Sequence, residues 1–212
     1  EQPDEPHRFG FLQIRPLATA IDGQRLEPDD LVGDDVLIST EVALGNGLYE
    51  DLHDVVYVPP GRFDRGQTVA IAAEVADLNQ RLRADARPYL LAGPGRWGSS
   101  DRWLGIPVRW EQISSAQVIV ETDLPDFKVT PSEGTHFFQN LTSFQKGYLT
   151  VNHGRERTVC RWDALDALDG VWEGEYVRHL RLDAPLDVRV DGRSRRAVVR
   201  LGTCGETVKS SP

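Results

Sequence analysis

Three groups of residues combine types and spacings that suit chemistry. Gln13 and Arg15 stand two apart in Phe11-Leu12-Gln13-Ile14-Arg15-Pro16, so on a strand they share a face. An amide oxygen ligates a hard cation and a guanidinium clamps phosphate oxygens, so the pair could serve a metal–triphosphate with Gln13 at the metal. The same pair also fits a solvated strand face. The second group is Gly93-Pro94-Gly95-Arg96-Trp97-Gly98-Ser99-Ser100. Glycines after a strand let backbone N–H groups approach an anion, which would place Gly93, Gly95, Arg96 and Ser99 around a bound phosphate. No Gly-Lys-Ser/Thr follows, so this is not a Walker loop. A tight turn with Trp97 in the core reads equally well. The third is His136, after Gly134-Thr135. A neutral imidazole can attack a phosphoryl group, and a helix N-terminus stabilises the resulting anion; a locally hydrogen-bonded histidine at a helix start is the simpler alternative.

The elements that must position these groups follow from periodicity. Residues 9–15 alternate and stop at Pro16, as a strand does. Residues 22–35 are acidic and rich in turn formers, which predicts a connector or mobile loop and a domain boundary. Strands are expected at 36–42, 55–58, 89–92, 118–120 and 148–151, where β-branched and large apolar residues cluster. Between them Ile71, Val75, Leu78 and Leu82 recur at helical spacing, with Arg81 and Arg83 in the last turn where the helix dipole favours cations. Ser132 suits the N-cap of a short helix near 133–143. One or two helical turns are expected over 162–168. Residues 176–182, 186–190 and 197–201 alternate as strands, the last two joined across Asp191-Gly192-Arg193 as a C-terminal β-hairpin. The predicted fold class is therefore α+β, with a mixed, mostly antiparallel sheet and one long amphipathic helix.

Composition narrows the function classes. The 212 residues are 40% hydrophobic, enough for a core. A net charge of −9 and a pI near 5.0 argue against a nucleic-acid binder, which needs basic surface. No apolar run approaches the roughly 20 residues that cross a bilayer, and residues 1–8 are polar and acidic rather than signal-like, so a cytoplasmic location without a membrane partner is expected. Cys160 and Cys204 are too few for a disulfide scaffold and read as structural thiols. Trp97, Trp103 and Trp110 read as core. The chain holds no Met, a start residue included, which suggests a piece of a longer protein.

Several of these segments resemble a known family. Residues 11–16 look like the strand that ends the ATP-grasp domain of phosphoenolpyruvate synthases and pyruvate phosphate dikinases, where a Gln-x-Arg pair contacts the metal and phosphates of ATP; Gln13 and Arg15 match it. Leu44-Gly45-Asn46-Gly47, Gly93 to Asp101, Leu104-Gly105-Ile106-Pro107-Val108 and Gly134 to Ser143 are similar to the region after the ATP-grasp domain in bacterial PEP/pyruvate-binding domain proteins. Gly134-Thr135-His136 is also similar to the phosphohistidine motif of the dikinases, with Phe137-Phe138-Gln139 where that motif carries small residues. The resemblance implies residues 1–20 as the terminal ATP-grasp strand, with most of that domain before residue 1, and 30–212 as a family-specific domain. It implies Mg-ATP as cofactor, pyruvate or phosphoenolpyruvate as further partners of the parent, and an intramolecular ATP-grasp partner. The expected function is a fragment of an ATP-dependent phosphotransferase, inactive by itself, with a non-catalytic regulatory or docking module as the alternative.

Overall fold

The computed structural model describes residues 25–99, 101, 103–128, 140–141 and 143–202. The expected strand over 9–15, with Gln13 and Arg15, lies outside these residues. So do His136 and most of the helix expected near 133–143, of which helical backbone is described at 140–141 and 143.

Four β-rich stretches build the centre of the molecule: β4 (Asp54–Tyr57), β5 (Tyr89–Pro94), β8 (Ala116–Thr122) and β9 (Gly147–Val151). They lie side by side in that order, each parallel to the next. Buried on both faces, they are almost continuously apolar, as parallel strands must be. The two-residue period still sorts their side chains. Val55, Tyr57, Leu90, Ala92, Val118, Val120, Leu149 and Val151 enter one core, while Val56, Val58, Tyr89, Leu91, Ile119 and Tyr148 enter the other.

The second of these cores lies under α1 (Thr68–Ala84), whose predicted stripe of Ile71, Val75, Leu78 and Leu82 is buried. Burying each such side chain contributes about 1.5–3 kcal/mol. Ala86 at φ 53° and then Pro88 end the helical course. Ile106, Val108 and Ile113 from the β5–β8 connection, and Leu141 from the β8–β9 connection, join the same core. Parallel strands laid down in one direction with crossovers of one hand put every connection on one face, which leaves the opposite face free.

A second sheet covers that free face. It contains β10 (Val159–Cys160), β1 (Val36–Thr40), β14 (Arg196–Arg200), β13 (Asp187–Asp191) and β3 (Gly47–Tyr49), in that order. Its ladders are antiparallel. Val188, Val190, Ala197, Val199, Ile38 and Cys160 pack from it into the first core, and burial raises the Cys160 thiol well above its ordinary value. The predicted hairpin is β13–β14. The central sheet is extended by antiparallel β12 (Arg178–Arg181) and β11 (Gly170–Glu173) beyond β4, and by β2 (Ala43–Leu44) beyond β9. The short α2 (Trp162–Asp166) seats Leu165 in the first core. A parallel ladder of β6 (Arg96–Trp97) and β7 (Gly105–Ile106) completes the pairs.

The α+β class, the one long helix and the predominance of antiparallel pairing are thus as predicted: among the described residues seven ladders are antiparallel and four parallel. The parallel centre was not foreseen. The expected acidic connector over 22–35 is also packed from residue 25 onward. Leu26 and Leu31 are buried with Val36 and Val198, and the Leu26 N–H donates to Asp191. Among the described residues no helix is long and apolar enough to cross a membrane.

Candidate functional site at the carboxyl edge of the parallel strands

Parallel pairing brings the segments that follow β4, β5, β8 and β9 to one edge of the sheet, where open parallel sheets commonly bind ligands. These segments touch. Phe63, after β4, stacks on Phe127, after β8, with ring centroids 5.7 Å apart. The Arg65 guanidinium lies 4.2 Å from the Phe127 ring centre and donates to the Asp126 carbonyl at 3.1 Å. A Cβ on Gly95 would stand 3.2 Å from Phe127 and 3.0 Å from the Gly105 backbone, and Gly95 has φ +86°. Only glycine meets both conditions without strain.

The glycine loop is tightly engaged within the fold. Gly95 N–H donates to the Thr122 carbonyl, Arg96 N–H to Leu104, and Gly98 N–H to Ile106. Trp97 N–H donates to Glu121 Oε1 at 2.9 Å, and its indole N–H to the Val120 carbonyl at 3.0 Å. Glu121, fully buried, also accepts from the Tyr148 hydroxyl. Four consecutive amides are therefore spent on protein acceptors. The loop's backbone polarity is satisfied by the turn itself, and Trp97 is a fully buried core residue. Ser99 Oγ donates to the Asp101 carbonyl at 2.8 Å. Trp110 is partly buried against the helix-side core, whereas Trp103 is 60% exposed, against the expectation of a core role, because it sits on the outer turn before β7.

A constellation absent from the sequence reading sits beside this loop. Asp123 follows β8 and His153 follows β9, the neighbouring parallel strand. Asp123 Oδ1 accepts from the His153 backbone N–H at 2.6 Å and meets His153 Nδ1 at 2.8 Å, while Oδ2 accepts from Lys128 Nζ at 3.2 Å. Asp123 is 2% exposed. Burial pushes its carboxyl up, but the hydrogen bonds from His153 and the Lys128 ammonium outweigh that and hold it below the usual carboxylate range. A carboxylate at Nδ1 selects the tautomer that carries the proton there and leaves the Nε2 lone pair outward. The His153 side chain is 36% exposed, and among the described residues no group bonds Nε2.

The structure therefore gathers Gly93, Gly95, Arg96 and Ser99 with Asp123, Lys128 and His153 along one edge. Lys128 is the last described residue before the stretch that carries His136. The sequence signal for the missed group was slight: an Asp and a His each placed just beyond a β-rich run. It becomes legible only once β8 and β9 are known to be parallel neighbours. Comparison with protein-family models, with curated proteins and with solved structures gives no match to any of them.

Proposed function

We propose that this chain is the accessory or phosphoacceptor part of a cytoplasmic ATP-dependent phosphotransferase resembling phosphoenolpyruvate synthase and pyruvate phosphate dikinase. In this reading Gln13 and Arg15 belong to the Mg-ATP side and His136 to the acceptor side, with pyruvate or phosphoenolpyruvate as the other substrate. The observation that carries it is the meeting at one carboxyl edge of the family-like Gly93–Ser99 segment and Lys128, from which the chain runs toward the His136 motif. Arg65 and Lys128 bring cationic groups to that edge, alongside the carboxylates of Asp123 and Asp126, and such cations suit the oxygens of a phosphorylated ligand. The test is phosphate transfer from β-labelled ATP to the full-length parent, with and without pyruvate, in wild type and His136→Ala. Acid-labile label lost in the variant supports the reading; absence of label in wild type overturns it.

One observation favours a second reading, a non-catalytic docking or regulatory module. The amides of Gly95, Arg96, Trp97 and Gly98 are all bonded within the fold, so these four do not serve as donors to an anion. The parallel strands also run in unbroken order, without the reversal that opens a crevice between diverging connections.

A further inference from the structure

We infer that His153, fixed by Asp123, is a nucleophilic histidine that accepts a phosphoryl group on Nε2. The inference rests on the phosphotransfer reading above but replaces His136 as the accepting residue with one that carries no motif. It rests on three features of the described structure. First, Asp123 Oδ1 grips His153 twice, through the backbone N–H and through Nδ1, so ring position and tautomer are set together. Second, Asp123 directly follows β8 and His153 lies two residues beyond β9, and the Asp123 N–H donates to the Val151 carbonyl at 3.1 Å, so the parallel β8–β9 pairing brings the two together. Third, the ring is over a third exposed and shares Asp123 with the Lys128 ammonium, a charge that suits the oxygens of a phosphoryl donor.

In the step itself the Nε2 lone pair forms the nitrogen–phosphorus bond while the bond from phosphorus to its leaving group breaks. The leaving group departs with that electron pair. The Nδ1 proton stays on the ring, and the Asp123 carboxylate offsets the positive charge that the imidazole acquires.

The experiment uses phosphoramidate, a small phosphoryl donor that needs no ATP site and releases ammonia on transfer. The full-length protein is incubated with it, and phosphohistidine is located by phosphorus NMR and peptide mapping. Label is expected at His153, lost in His153→Asn, whose amide N–H can still donate to Asp123 and preserve the strand ends. Asp123→Asn, which keeps an acceptor oxygen but removes the charge, should slow labelling tenfold or more. Nitrogen-15 NMR of the same variant should show a smaller share of the Nδ1–H tautomer, and the pH profile of labelling should shift with it, a change in rate that a merely structural role for Asp123 would not produce. Label elsewhere with none at His153, or a rate unaltered in Asp123→Asn, overturns the inference. Label at His153 from phosphoramidate with none from ATP upholds this inference and removes the ATP-dependent reading; label from ATP confined to His136 does the reverse.

Discussion

At the amino edge of the parallel strands Asp54 is enclosed by His179, Arg87 and Arg181; at the carboxyl edge Asp123 holds His153 and Lys128. Both are aspartate–histidine pairs bridging neighbouring strands, yet their surroundings differ. Asp54 is fully buried and each of its oxygens is saturated: Oδ1 by His179 Nε2 at 2.7 Å and Arg181 Nε at 3.1 Å, Oδ2 by Arg87 Nε at 2.7 Å. Its histidine is 7% exposed, against 36% for His153. Two guanidiniums and an imidazole around a buried carboxylate pin β12, β4 and the exit of α1 together. At Asp123 the carboxylate is as deeply placed, but its partners point outward. The same residue pair therefore acts as a structural lock where both members are sealed, and offers a reactive nitrogen where only the carboxylate is.

The largest separation of the two edges should come from truncation at the lock. Asp54→Ala leaves Arg87, Arg181 and His179 without their shared counter-ion and should cost about 3–5 kcal/mol in urea unfolding; a loss under about 1 kcal/mol would show that the network is dispensable. Acid should act on the same group. Burial pushes the Asp54 carboxyl up, but the hydrogen bonds from His179, Arg87 and Arg181 win and hold it at about 2. A depressed folded-state value means that the stabilisation is present above the unfolded value near 4 and is lost as pH falls through 2, about 2 kcal/mol in all. Unfolding followed between pH 5 and 2 should show that loss, and Asp54→Asn should flatten it.

At the other edge, Asp123→Asn should cost about 1–2 kcal/mol, because one acceptor oxygen remains and the partners are wetter. Its larger effect should be on His153 reactivity, so a variant with unchanged reactivity and a loss as great as that of Asp54→Ala would erase the distinction. Smallest of all, Lys128→Ala removes an ammonium whose side chain is 65% exposed and should change stability by at most about 1 kcal/mol, less still in 1 M salt.

Much of this architecture can be read along the chain, and the site can be read only across it. The α1 stripe, the run over 118–120 and the β13–β14 hairpin are local patterns. Each follows from the spacing of apolar side chains and from turn residues a few positions away. The glycine loop was equally visible. Its role was not, because whether its N–H groups meet an anion or the protein depends on acceptors at Thr122, Leu104, Glu121 and Ile106. The packed course of residues 25–35 was hidden for the same reason, since Leu26 and Leu31 become core only when Val198 arrives from the far end of the chain.

By itself, then, the sequence determined the α+β class, the long helix, most strand positions, the net charge of −9 and, among the described residues, the lack of a helix long and apolar enough to cross a membrane. Those properties depend on composition and on periods of two and 3.6 residues, which are complete within short windows. Tertiary structure alone decided that the four central strands run parallel, that their connections share one face, and that Asp123 meets His153 and Asp54 meets His179. Strand direction and long-range pairing depend on burying both faces of the sheet at once, so no local pattern encodes them.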